Sequence, residues 1–124
     1  HCDYSNSFRA LGDLVVDPGH QGLRNRFGDH AAFDAWATGY RQRLARDGMA
    51  GDERRARMMQ VNPKYILRNY LAEQAIRAAR EGDYSEIDRL LSVLQHPFDE
   101  QPEMDAYAAP PPDWGRRLEV SCSS

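Results

Sequence analysis

Cysteine is nearly absent from these 124 residues: Cys2 and Cys122 are the only two, one at each end. A small secreted scaffold stapled by disulfides needs more of them at closer spacing, so that class is excluded. Lysine is scarcer still, with Lys64 alone against fifteen arginines. Long apolar runs are missing as well. No stretch reaches the roughly 18 consecutive apolar residues of a membrane span, mean hydropathy is −0.75, and no signal-peptide pattern is read at the start. A soluble chain without membrane contact is expected. Nor is there a basic excess. Net charge is −3, with nine basic against eight acidic residues in 1–61 and seven against eleven in 62–124. Nucleic-acid-binding domains usually carry a basic stripe, so DNA and RNA are disfavoured as partners.

The motifs of common chemistries are lacking too. His1, His20, His30 and His96 lie in unrelated segments, with none of the paired spacing that a zinc site needs. Gly19-His20-Gln21-Gly22 is neither a dinucleotide fingerprint nor a phosphate loop, and no Gly-x-Ser-x-Gly elbow occurs. Asp99-Glu100 and Glu103 with Asp105 resemble paired carboxylates, but a hydrated acidic stretch offers nothing to separate their pKa values. Arg54, Arg55 and Arg57 could grip an anion, yet Asp52 and Glu53 precede them, and a charged helix end is the favoured reading. The residues therefore assign no catalytic, cofactor-binding or metal-binding position. Cys122, third from the end in Ser121-Cys122-Ser123-Ser124, is the one reactive group considered, since exposure and thiolate fraction govern thiol reactivity.

What is present is helical periodicity. Tyr4, Phe8 and Leu11 make one apolar stripe on a short helix over about 3–14. A long loop is expected over 17–28, where Gly19, Gly22 and Gly28 fall. Asp29 then caps a helix striped by Phe33, Trp36, Ala37, Tyr40 and Leu44. A short charged helix over 52–60 is predicted with Asp52 as its cap and Met58 and Met59 turned inward. Asn62-Pro63 is the clearest boundary, with Asn as N-cap and Pro at the first helical position. The helix predicted behind it buries Ile66, Leu67, Tyr70, Leu71, Gln74, Ala75 and Ala78, and stops at Gly82. Asp83 and Glu86 read as a capping box for the next helix, whose stripe is Ile87, Leu90, Leu91 and Leu94 and which closes at His96-Pro97.

From Pro97 onward come five prolines by residue 112 and five acids without a base by residue 113. This tail is too rich in proline for an α-helix. Phe98, Met104, Tyr107 and Trp114 should hold it extended across a surface. The expected fold is all-α: one small bundle of about four to five helices over 1–96, then an ordered Pro-rich tail over 97–124. No internal repeat of 30–40 residues is found.

Three strings together carry a resemblance. They are Val61-Asn62-Pro63-Lys64-Tyr65-Ile66-Leu67-Arg68-Asn69-Tyr70-Leu71, His96-Pro97-Phe98-Asp99-Glu100-Gln101-Pro102, and Tyr107-Ala108-Ala109-Pro110-Pro111-Pro112-Asp113-Trp114 with the terminal Ser121-Cys122-Ser123-Ser124. In this order they resemble the C-terminal part of the selenoprotein O family, and Asp3-Tyr4-Ser5-Asn6-Ser7-Phe8-Arg9 is similar to the start of that region. The resemblance implies a kinase-like parent that moves AMP from ATP onto hydroxyl side chains of proteins, with Mg2+ or Mn2+. The nucleotide- and metal-binding motifs of that kinase-like domain match nothing in this chain, so no cofactor is expected here. The partners implied are the kinase-like domain of the same polypeptide and the parent's protein substrates. The location implied is the cytoplasm, with a bacterial source.

One position carries over. Animal members have selenocysteine where this chain has Cys122, and many bacterial members have cysteine. The resemblance implies a redox-regulatory thiol able to bridge to a cysteine in the kinase-like part; Cys2 is not assigned as that partner. The expected function is thus an accessory, regulatory C-terminal segment, inactive alone. The alternative is a free-standing helical module that binds a protein through residues 62–96. On the first reading, Tyr4, Phe8 and Trp114 are candidates for apolar surface that faces the larger domain.

Overall fold

The computed structural model describes residues 3–14 and 21–118, and every regular element among them is helical. The all-α expectation holds. The order is α1 (Tyr4–Asp13), α2 (Gln21–Arg24), α3 (His30–Arg46), α4 (Gly51–Val61), α5 (Asn69–Arg80) and α6 (Ser85–Gln95), then 3₁₀ turns at Pro102–Ala108 and Asp113–Gly115. The chain divides into two compact units, His1–Pro63 and Lys64–Ser124. The division falls at Pro63, ahead of the 96/97 junction at which the composition changes.

In the first unit, α1 starts where Asp3 accepts the Asn6 amide at 3.0 Å, a side-chain N-cap that satisfies one orphan donor. Its inward face is Arg9 and Gly12, while Tyr4 and Phe8 lie outward, 75% and 38% exposed. Gly12 faces Met58, Met59 and Arg55 of α4. The core is Leu14, Leu23, Phe33 and Ala37, with Leu11, Phe27 and Tyr40 against it. Leu23 belongs to α2, a single turn inside the expected loop. Its full burial accounts for the turn, because one large aliphatic side chain removed from water contributes about 1.5–3 kcal/mol. Asp29 caps α3 by accepting the Ala32 amide at 2.9 Å. On α4 the cap is Ala50 without a side-chain bond. Asp52 stands inside the first turn, where its charge suits the helix dipole, so the expected Asp52 cap is corrected.

The second unit corrects a larger expectation. No helix begins at Pro63: Asn62 ends α4, and α5 starts at Asn69 behind Arg68. Residues 64–68 run without helix because their polar groups are engaged elsewhere. The Lys64 and Tyr65 amides both donate to the Pro97 carbonyl, at 2.7 and 3.1 Å, and the Tyr65 side chain is 1% exposed. α5 ends as the glycine signal requires. Gly82 has φ +87°, the left-handed conformation that favours glycine. Its amide bonds to Ala79 and that of Asp83 to Ala78, the paired bonds of a Schellman ending. Asp83 then accepts the Ser85 amide at 2.9 Å. The capping-box partner is not made, because Glu86 pairs with Arg89 at 3.3 Å.

Two adjoining clusters form this unit's core: Tyr70, Leu71, Ala75 and Leu90, and Tyr65, Val93 and Ala108. The Pro-rich segment closes over them, and its described part holds two 3₁₀ turns, Pro102–Ala108 and Asp113–Gly115, where an extended run is expected. Met104 and Tyr107 pack inward, the Tyr70 hydroxyl donates to the Ala109 carbonyl at 3.3 Å, and Trp114 meets Tyr70 edge-on at 6.1 Å. Gly115 fits under Tyr70 only because it lacks a side chain, since a Cβ would lie 2.7 Å from Tyr70 Cβ. Gly115→Ala is therefore expected to destabilise this unit by about 1–3 kcal/mol through overpacking. Equilibrium denaturation followed by Trp fluorescence checks it, and an unchanged midpoint would remove the close approach from the account.

Candidate functional site

A polar junction of the second unit forms at the lone lysine. Lys64 Nζ donates to Glu100 Oε2 at 2.6 Å and Asp105 Oδ1 at 2.7 Å, and stands 5.5 Å from the Tyr65 ring centroid. Partial burial works to lower its pKa, but the bonds to Asp105 and Glu100 prevail, and the net shift is upward. Lys64 is therefore held as a cation and is unsuited to act as a base or nucleophile near neutrality. The neighbouring bonds run the same way along the chain. Tyr65 donates its hydroxyl to the Gln101 carbonyl at 2.9 Å, and the Gln101 amide side chain donates to the carbonyls of Val93 and His96 at 3.2 and 2.9 Å. Together they staple residues 97–105 onto the start of the unit.

Of the carboxylates considered from sequence, Glu100 and Asp105 are brought together by this staple, while Asp99 lies 3.7 Å from His96. The arginine cluster does not converge on an anion site. Arg54 reaches Asp47 at 3.5 Å and the Leu44 carbonyl at 3.4 Å, Arg55 bonds Asp13, and Arg57 bonds Glu53 at 2.9 Å. His30 Nδ1 lies 3.1 Å from Arg24 Nη1, and Arg24 grips Asp34 through two bonds of 2.9 Å. That bond to Arg24 holds the Asp34 carboxyl below its usual value. Cys122, with Cys2, His1 and His20, lies outside the described residues.

Among the described residues no group of three His, Cys, Asp or Glu is placed to hold a metal ion. No loop there offers the glycine-rich backbone cradle that a nucleotide's phosphates need. No helix of the described residues is long and apolar enough to cross a membrane.

What the surface does offer is apolar. In the first unit Phe27, Gly28, Asp29, Ala32, Phe33 and Trp36 line a depression of about 370 Å³, and a ladder of ring contacts runs from Phe27 through Phe33 and Trp36 to Tyr40. In the second, α5 and α6 flank a groove of about 290 Å³ whose walls include Leu67, Ile76, Ile87 and Leu91. The sequence places Ile87 and Leu91 in a buried stripe, but they are 42% and 57% exposed. The staple at Lys64 was missed. Its only trace in the sequence is a single lysine followed by an acidic run.

Comparison with known proteins gives these surfaces a context. The family described as protein adenylyltransferase SelO matches residues 1–95. A protein nucleotidyltransferase YdiU of Pseudomonas fluorescens is 58% identical over 123 residues, which is 98% of this chain and 25% of that protein. Its namesake in Azotobacter vinelandii is also 58% identical with the same coverage, and that of Ectopseudomonas mendocina is 56% identical over 122 residues. The chain spans about a quarter of the length of these curated relatives and corresponds to their C-terminal part. With most of its residues matched by the family and more than half identical to these relatives, the chain belongs to the protein adenylyltransferase SelO family.

Proposed function

We propose that this chain is an accessory, regulatory segment of a protein adenylyltransferase and has no transfer activity by itself. The parent enzyme moves AMP from ATP to hydroxyl side chains of proteins and uses Mg2+ or Mn2+. One observation carries the reading: 98% of the chain aligns with relatives named protein nucleotidyltransferase, yet it accounts for only 25% of their length. The partners are then the kinase-like domain of the same polypeptide and the enzyme's protein substrates, in a bacterial cytoplasm. The proposal extends to Cys122 as a redox-regulatory thiol that bridges to a cysteine of the kinase-like part, and the support for that is the family resemblance of the terminal Ser-Cys-Ser-Ser string.

Labelled ATP tests it. Incubated with Mg2+ or Mn2+ and acceptor proteins, the full-length protein is expected to transfer AMP, and the isolated chain to transfer none and to bind no nucleotide. Saturable ATP binding by the isolated chain would sink the reading. The second reading, a free-standing interaction module, draws on the exposed apolar groove between α5 and α6. It requires the isolated chain to bind a separate protein with no contribution from the rest of the polypeptide.

A further inference from the structure

The groove of the second unit has too much apolar surface for a helical hairpin that ends in water. On α6 the inward residues Leu90 and Val93 are 6% and 0% exposed, covered in part by the Pro-rich segment. The outward residues of the same helix, Ile87 and Leu91, line an open groove together with Ala72 and Ile76 of α5, Leu67 and Leu94. A helix that borders solvent needs only one apolar stripe. Single exposed aliphatic residues are ordinary, but contiguous ones mark an interface.

Two features select the occupant. The groove is walled by apolar side chains alone, which suits an apolar protein surface and gives nothing to a charged peptide or a nucleic acid. Moreover, this chain is only 25% of the length of its curated relatives, so most of such a polypeptide lies outside the two units. A covalently joined surface meets the groove at a high effective concentration and needs little affinity of its own. The groove also lies wholly inside the span shared with the family, which ends at residue 95, just before the Pro-rich segment.

We propose that the α5–α6 groove is the surface on which the larger remainder of the polypeptide docks, with Ile87 and Leu91 at the centre of the contact. The proposal rests on the reading that the chain is a segment of a longer enzyme. Burial of this contact would join the Lys64–Ser124 unit to the rest of the protein without any polar recognition.

Thiol labelling reads coverage directly. Leu91→Cys places a reporter in the groove, and Ser92→Cys places one on the next, exposed residue of the same helix. In the folded full-length protein, with folding checked by circular dichroism and labelling read by peptide mass, Leu91→Cys is expected to react with a maleimide at least ten-fold more slowly than Ser92→Cys. In the isolated chain the two should react at similar rates. Equal rates in the full-length protein would overturn the proposal. So would protection of Leu91→Cys in the isolated chain: protection lost on dilution would assign the groove to a second copy, and protection that survives dilution to the chain's own residues. If Leu91→Cys unfolds the full-length protein, Ile87→Cys takes its place. Loss of AMP transfer by the unsubstituted full-length protein would overturn the adenylyltransferase reading alone and leave the labelling result standing.

Discussion

Tyr65→Ala is expected to cost the Lys64–Ser124 unit about 3–5 kcal/mol, the range for deleting a large buried aromatic side chain. Tyr65 is the largest fully buried side chain among the described residues, at 1% exposure. Its ring packs with Val93 and Ala108, and with Leu94, Met104 and Tyr107 beside them. Its hydroxyl both donates to the Gln101 carbonyl at 2.9 Å and accepts from the Gln101 amide at 3.2 Å. The substitution therefore opens a cavity and strands two backbone groups at once. Tyr65→Phe separates the contributions, since it keeps the ring and removes only the hydroxyl, for an expected loss of about 1–2 kcal/mol. Denaturant titration of both variants in a Trp36→Phe background, with far-ultraviolet circular dichroism for the helices and Trp114 fluorescence for the tail, measures the difference. A loss below about 1 kcal/mol for Tyr65→Ala would mean that this side chain is not the keystone of the cluster.

Tyr65 also shows why some of the fold was legible and some was not. Signals that act through the backbone of their own neighbourhood were readable. Asp29 caps α3 as its position promises, and Gly82 takes the left-handed conformation that ends α5. Signals that depend on a distant partner were not. Asn62-Pro63 has the chemistry of a helix start, yet the amides behind it are taken by the Pro97 carbonyl, more than thirty residues away. Ile87 and Leu91 have the spacing of a core stripe, but periodicity says only that a face is apolar and not what covers it. A one-turn helix such as α2 is too short to leave a period at all. The candidate site divides in the same way. Lys64, Glu100 and Asp105 were each visible in the sequence, but their junction is a product of the tail's path. Cys122 is visible as a thiol near the end of the sequence, its redox role entered only through the family resemblance, and it lies outside the described residues.

The first unit hinges on a residue with no sequence signal, because an arginine is ordinarily exposed. Arg9→Met is expected to destabilise the His1–Pro63 unit by about 2–4 kcal/mol. Arg9 is 8% exposed on the inward face of α1. Its Nη1 donates to the Asn62 carbonyl at 2.8 Å and the Met59 carbonyl at 3.3 Å. These carbonyls belong to the end of α4, where the last turn of a helix lacks internal donors and carries partial negative charge. Methionine fills much of the same space but supplies neither donor nor charge. The loss combines carbonyls left unsatisfied in a partly buried site, about 1–3 kcal/mol, with a cation removed from a helix C-terminus, up to about 2 kcal/mol in a partly buried geometry. The control is Arg57→Ala, on an arginine that is 64% exposed and pairs with Glu53 one turn away; it should cost less than about 0.5 kcal/mol. Denaturation of both variants decides between position and charge. If the two cost the same, Arg9 is one more surface arginine and the α1–α4 contact is held by its apolar residues alone. If Arg9→Met alone is costly, a cation placed by α1 closes the end of α4.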